Sequence, residues 1–164
     1  NDTLESATVV PTPSNYSYFL VLKNSVSTGS PRALINGRFD GVFDGFRYGH
    51  NSVSDRIADH PGIATGTDTG GRTTNWEIVS VTRTATGPLL SLWINGASRT
   101  ITNSTMAYND PTTRLYVGGT TNLGEKTWEG DIAEIIVYDS ALFTSNRRKV
   151  ERRYLGRRYG ITVS

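Results

Sequence analysis

Three carboxylates fall close together near the C-terminal end of the chain, at Glu129, Asp131 and Glu134. Two carboxyls held about 5 to 5.5 Å apart can cleave a glycosidic bond with retention, one as nucleophile and one as acid and base. On a regular strand Glu129 and Asp131 share a face, and Glu134 joins them only where a bulge shifts the register. Both histidines, His50 and His60, lie between residues 50 and 72 beside Asp55 and Asp59. Two nitrogens at no zinc-like spacing read as solvated loop side chains rather than a transition-metal site. Calcium suits the chain better, because Asp40, Asp44, Asp55, Asp59 and Asp68 with loop carbonyls can supply oxygen ligands. Asx turns account for the same aspartates without an ion, so no cofactor is expected, with a structural calcium as the alternative.

Sugar binding needs a flat ring to stack on and polar groups of fixed geometry beside it. Trp76 and Trp93 sit inside strand patterns, which assigns them to the core or to sheet packing. Trp128 follows the polar stretch from Thr120 to Thr127, and Tyr108, Asn109 and Asp110 occupy a loop of their own. These four are the candidate ligand-binding residues, with capping of the core at a strand end as the alternative for Trp128. The strongest charge feature is a run from 147 to 158 with seven basic residues and one acid. That run carries +6 of a total of +2, which leaves the rest of the chain at −4. An acidic body with one cationic helix is a directional charge, able to engage an acidic protein or a polyanion. Arg148, Arg152, Arg153 and Arg157 are the residues assigned to such docking. Cations late in a helix also favour its dipole, and a solvated face is the first reading of the run, with docking second.

The elements that must position these residues follow from composition and pattern. A chain of 164 residues forms one domain with a sizeable core. Zero cysteines exclude disulfides, cysteine-ligated zinc and thiol catalysis together. Seventeen glycines with abundant Thr, Ser and Asn suit many short strands and turns. No apolar run approaches 18 residues and no basic-then-apolar leader is present. With Asn rather than Met first, a processed product or an excised domain is expected.

Residues 1 to 15, with Pro11 and Pro13, read as an N-terminal extension in which Ala7 to Val10 could form an edge strand. Tyr16 to Leu22 is the first clear strand, followed by short ones at Arg32 to Ile35 and Gly45 to Gly49, with Asn36-Gly37 as a turn signal. Residues 50 to 72 read as mostly loop, with a brief strand at Arg56 to Ala58. Thr74 to Thr82 alternates with period two, placing Trp76, Ile78, Ser80 and Thr82 on one face and Glu77, Val79, Val81 and Arg83 on the other. Leu89 to Ile94 ends in Asn95-Gly96, a second hairpin signal, and Arg114 to Gly119 precedes the closing strand. That strand, from 128 to 138, is so apolar that burial on both faces is expected. A helix from about 144 to 159 follows, capped by Thr144 or Ser145 and ended by Gly160. Eight to ten strands and one terminal helix predict an all-β fold, two antiparallel sheets packed face to face.

Four strand signatures in order carry a resemblance. W-E-I-V-S-V-T from 76, G-P-L-L-S-L-W-I-N-G from 87, R-L-Y-V-G-G from 114 and G-D-I-A-E-I-I-V-Y from 130 resemble those of laminin-G-like, concanavalin A-like jelly-roll domains. The resemblance spans roughly 15 to 162. It implies a jelly-roll β-sandwich with one C-terminal helix over residues 16 to 164, acting as a non-catalytic binding or adhesion module that recognises a glycan or a protein through edge loops. It also implies a secreted, cell-surface or virion setting. A structural virion component docking through the Arg-rich helix or the N-terminus is the alternative. A third reading rests on Glu129-x-Asp131-x-x-Glu134, which is similar to the catalytic strand of laminarinase-type β-glucanases, although Gly130 stands where those enzymes usually carry Ile or Leu. Membrane insertion and nucleic-acid binding are not expected.

Overall fold

The computed structural model describes residues 15–25, 73–84, 90–100, 116–118 and 128–164 in full, and elsewhere the backbone of the strands named below. In chain order these are β1 (Leu4–Glu5), β2 (Val10–Pro11), β3 (Tyr16–Asn24), β4 (Arg32–Phe39), β5 (Val42–Phe43), β6 (Arg47–His50) and β7 (Arg56–His60). They continue with β8 (Ala64–Asp68), β9 (Glu77–Arg83), β10 (Leu90–Ile94), β11 (Ala97–Arg99), β12 (Thr112–Thr113), β13 (Leu115–Val117) and β14 (Gly130–Tyr138). One sheet of seven strands runs β1-β13-β4-β6-β7-β8, with β5 paired to β4, and a second of five runs β11-β10-β9-β3-β14. β2 and β12 form a separate pair. Every pairing is antiparallel.

The five-stranded sheet has two covered faces, and the alternation in β9 shows why. Its register with β3 sets Leu20 beside Val79 and Tyr18 beside Val81, while Val21 meets Ile78 and Phe19 meets Ser80. Side chains of the first set, with Leu92, Ile94 and Trp128, make the inner core. The second set, with Leu155 of the C-terminal helix, makes a smaller outer core. β3 is therefore apolar on both sides, which is what a strand between two layers requires. The molecule is an antiparallel sandwich whose five-stranded sheet carries the helix on its outer face.

The closing strand departs from expectation. β14 pairs with β3 alone, at the edge of its sheet, and its residues range from half-buried to exposed, whereas every residue of β9 is buried. The helix supplies what a further strand would have supplied. Ile136 and Tyr138 pack under it, and Ile132 and Ile135 turn to the inner core. The switch comes from a bulge at Ala133, between Ile132 opposite Leu22 and Glu134 opposite Val21.

The helix spans the expected residues with a different winding. It is α-helical over Thr144–Arg148, π-helical over Lys149–Gly156 and α-helical again over Arg157–Tyr159. Thr144 and Ser145 do not cap it. Phe143 holds the cap position without a side-chain bond, and its carbonyl accepts from the N–H groups of Asn146 and Arg147 at 3.0 and 2.9 Å. Gly160 ends the helix in the left-handed region at φ 66°, as the sequence suggests.

Two turn expectations part company. Asn95 and Gly96 form the β10–β11 hairpin at φ 50° and 81°. Asn36 and Gly37 instead continue β4, opposite Tyr116 and Leu115, because β13 supplies a hydrogen-bonding partner along that stretch. Residues 50 to 72, read as mostly loop, contain the β7–β8 hairpin. In the N-terminal segment, β1 pairs with β13 and β2 with β12.

Candidate functional site

Two surfaces of the five-stranded sheet bring together side chains that could meet a ligand. The first is the sheet end formed where β3 finishes and β9 and β14 begin. Thr73 to Trp76 leads into β9 and is fixed there by polar contacts: Asn24 Nδ2 donates to the Thr73 carbonyl at 3.2 Å, and the Asn75 N–H donates to Thr73 Oγ1 at 3.1 Å. The Ser25 N–H donates to the Glu129 carbonyl at 2.9 Å, which ties the start of β14 to the end of β3.

Trp76, assigned from sequence to the core, is 39% exposed. It precedes the last β9–β3 pair, Glu77 opposite Leu22, so one further step of the register sets it opposite Lys23. Lys23 in turn pairs with Asp131 on β14. An open indole, an ammonium and a carboxylate thus lie in a row across three strands on the outer face. Exposed Asn75 and Glu129 border the row. The polar run Thr73-Thr74-Asn75 ahead of Trp76 was the signal available in the sequence, since a residue before the first ladder pair lacks the neighbour that would cover it.

Trp128 is placed otherwise than a ligand-binding residue needs. It is 9% exposed and packs with the inner core, and its backbone N–H donates to the Gly118 carbonyl at 2.9 Å, bridging the approach to β14 and the end of β13. A buried indole offers a sugar no face, so its role is the core cap given as the alternative. Tyr108, Asn109 and Asp110 lie outside the described residues, as do the side chains of Asp40, Asp44, Asp55, Asp59, Asp68, His50 and His60. Among the described residues no group of three or more His, Asp or Glu is placed to hold a metal ion.

The bulge expected of the carboxylate triplet is present, but Glu134 is not free. With the Ala133 bulge, Asp131 and Glu134 emerge on the same outer face. Glu134, however, accepts hydrogen bonds from the hydroxyls of Tyr154 and Tyr159 at 2.7 and 2.8 Å, and Arg158 Nε lies 3.5 Å away. The carboxylate fastens the helix to the edge strand. The same bond raises the Tyr154 phenol above its ordinary value of 10.0, with desolvation adding to the shift, because ionisation would forfeit the donated proton. Gly130 is also explained: at φ 155° a Cβ there would stand 2.0 Å from the Lys23 carbonyl oxygen. No Ile or Leu of the glucanase pattern fits that approach.

The second surface is the helix, where the cationic run divides by partner. Arg147 is buried, paired with Glu151 and lying 4.1 Å over the ring of Trp93. Lys149 Nζ donates to Asn146 Oδ1 at 3.3 Å, and Arg158 serves Glu134 and flanks the rings of Tyr154 and Tyr159. Arg148, Arg152, Arg153 and Arg157 are exposed and have no hydrogen-bond or ion-pair partner among the described residues. Among the described residues no helix is long and apolar enough to cross a membrane.

No protein-family model and no curated protein matches the chain. Solved structures do. A native heptameric SAP-like pentraxin from Limulus polyphemus is similar at a TM-score of 0.73 and 11% identity, over 91% of this chain and 75% of that one. The fold is a jelly-roll β-sandwich. A carbohydrate-binding candidate from Bacteroides ovatus gives a TM-score of 0.70 at 16% identity, over 91% of this chain and 44% of its own. Trypanosoma rangeli sialidase in complex with sialic acid gives 0.66 at 11% identity, over 88% of this chain. The chain spans 23% of that sialidase, so the likeness concerns a part of it. Identities this low carry the jelly-roll fold and no residue roles.

Proposed function

We propose that this chain is a non-catalytic carbohydrate-binding module, laminin-G-like within the jelly-roll class, of a secreted, cell-surface or virion protein. The observation that carries the reading is Trp76, 39% exposed at a sheet end whose backbone is pinned by Asn24, Thr73 and Ser25. A rigid ring stacks on the apolar face of a sugar, and Lys23, Asp131 and Asn75 offer donors and acceptors to its hydroxyls. Jelly-roll neighbours, one of them named for carbohydrate binding, are consistent with it.

The test is titration of neutral oligosaccharides from a glycan array into the wild type and Trp76→Ala. Losing a stacking contact worth about 1.4 kcal/mol weakens binding about tenfold. A variant that binds every array hit as tightly as the wild type removes this site. The β-glucanase reading is disfavoured by Glu134, whose oxygens accept from Tyr154 and Tyr159 instead of facing a substrate. Reducing-end release from β-glucan by the wild type, abolished in Glu129→Gln, would restore it.

A further inference from the structure

The winding of the C-terminal helix decides where the four arginines that lack a partner among the described residues point. An α-helix turns every 3.6 residues, whereas i→i+5 bonding opens the turn to between about four and five. Residues four and five apart then stand above one another. Arg148, Arg152, Arg153 and Arg157 are related by those spacings, so the π-helical stretch Lys149–Gly156 gathers them on one flank. Continuous α winding would spread them over about half the circumference. The buried positions Arg147, Glu151, Leu155 and Gly156 mark the side of the helix that faces the sheet.

The flank has a direction. Tyr154 and Tyr159 hold the other side of the helix over β14 through Glu134, and Arg147 lies over Trp93 of β10. The four arginines therefore face away from the edge strand, toward the β10–β11 side of the sheet. Four guanidinium groups collected without a counter-charge repel one another and set up a local positive field. Each is a planar fork matched to a carboxylate or sulfate.

Single-stranded nucleic acid would need open aromatic rings among the cations. Here the ring of Trp93 lies under Arg147, Tyr154 and Tyr159 are held over β14 through Glu134, and the exposed ring of Phe143 stands alone at the N-cap, before the first helical residue, so no series of rings is interleaved with the four arginines. A protein interface centres on an apolar, charge-depleted core, and none of the four flank positions is apolar.

We propose that this arginine flank binds a polysaccharide carrying carboxylate or sulfate groups along its length. The choice of a sugar polymer rests on the carbohydrate-binding reading, but the surface is separate from Trp76.

The experiment measures binding of the full chain to polygalacturonate, heparin, an unsubstituted β-glucan and oligothymidylate at several salt concentrations. Polygalacturonate and heparin distinguish a carboxylate from a sulfate source. The expected result is binding to at least one acidic polysaccharide, with log affinity falling against log salt at a slope of up to about 4 in magnitude for four contacts. In Arg148→Ser/Arg152→Ser/Arg153→Ser/Arg157→Ser that binding falls at least about tenfold and the slope flattens. Arg152→Ser/Arg153→Ser gives an intermediate loss and serves should the fourfold variant not fold. Trp76→Ala leaves the acidic-polymer affinity unchanged while weakening neutral oligosaccharides, so failure at either surface is read separately. The proposal is overturned by silence on both acidic polysaccharides, by an unchanged affinity in the arginine variants, or by tighter binding of oligothymidylate.

Discussion

Arg147 and Arg152 belong to one cationic run, yet the first is sealed against Glu151 and the ring of Trp93 while the second stands in solvent with no partner among the described residues. Burial sets the difference. A charge removed from water is costly unless an opposite charge and further contacts replace the lost hydration, so Arg147 is committed to holding the helix on the sheet. An exposed arginine keeps its hydration and contributes little to folding, and it is free to meet something outside the chain. Net charge alone does not separate these roles.

The largest expected effect tests the sealed half of the comparison. Glu151→Ala leaves Arg147 buried without its carboxylate, and denaturant titration should show a loss of about 3–5 kcal/mol. A change below about 1 kcal/mol would mean that Arg147 swings out to solvent and that the two arginines differ less than their burial implies.

An intermediate effect concerns the clasp on the other side of the helix. Tyr154 has a folded-state value raised above 10.0, so the contact's contribution is present below pH 10.0 and is lost as pH rises through the raised value. In Glu134→Gln the phenol should titrate closer to 10.0, followed by phenolate absorbance with Tyr154→Phe identifying its share of the signal. An unmoved titration would show that the carboxylate is not what holds the proton.

The smallest effect belongs to the open half. Arg152→Ser and Arg153→Ser should each change folding stability by no more than about 0.5 kcal/mol, read in the same denaturant titration. A larger loss would make those side chains structural and blur the division.

Much of the architecture was legible because burial follows alternation. The period-two pattern at Trp76 to Arg83 named both faces of β9, and the apolar character of Tyr18 to Leu22 suits a strand buried on both sides. β14 misled because its apolar run is the same whether a strand or a helix covers it. Nothing local reports that Ile136 and Tyr138 meet Leu155 rather than another sheet member. The two Asn-Gly pairs show a similar limit. A dipeptide sets what the backbone can do, and the neighbouring strand decides whether it turns, as at Asn95, or continues, as at Asn36. Trp76 was misplaced for the converse reason, since its pattern fixes the side of the sheet it occupies but not where the cover over that side stops. The arginine flank was visible as charge, and its alignment was not, because a charge run reads the same in the sequence whether Lys149–Gly156 winds as α or as π.

Ala133 carries a consequence beyond its own position. One surplus residue in β14 reverses the facing of everything after it, so Glu134 emerges toward the helix and Ile135 toward the sandwich interior. The pairs Ile132–Leu22 and Glu134–Val21 would be consecutive without Ala133, so deleting it would regularise the ladder and leave both destinations in place. A register that paired Ala133 itself with Val21 would instead drive the acid among hydrocarbon and strand the isoleucine against two phenols. A lone surplus residue, absorbed as a bulge, thus keeps a whole ribbon's allegiance to the two halves of the molecule where an unbulged register would exchange it.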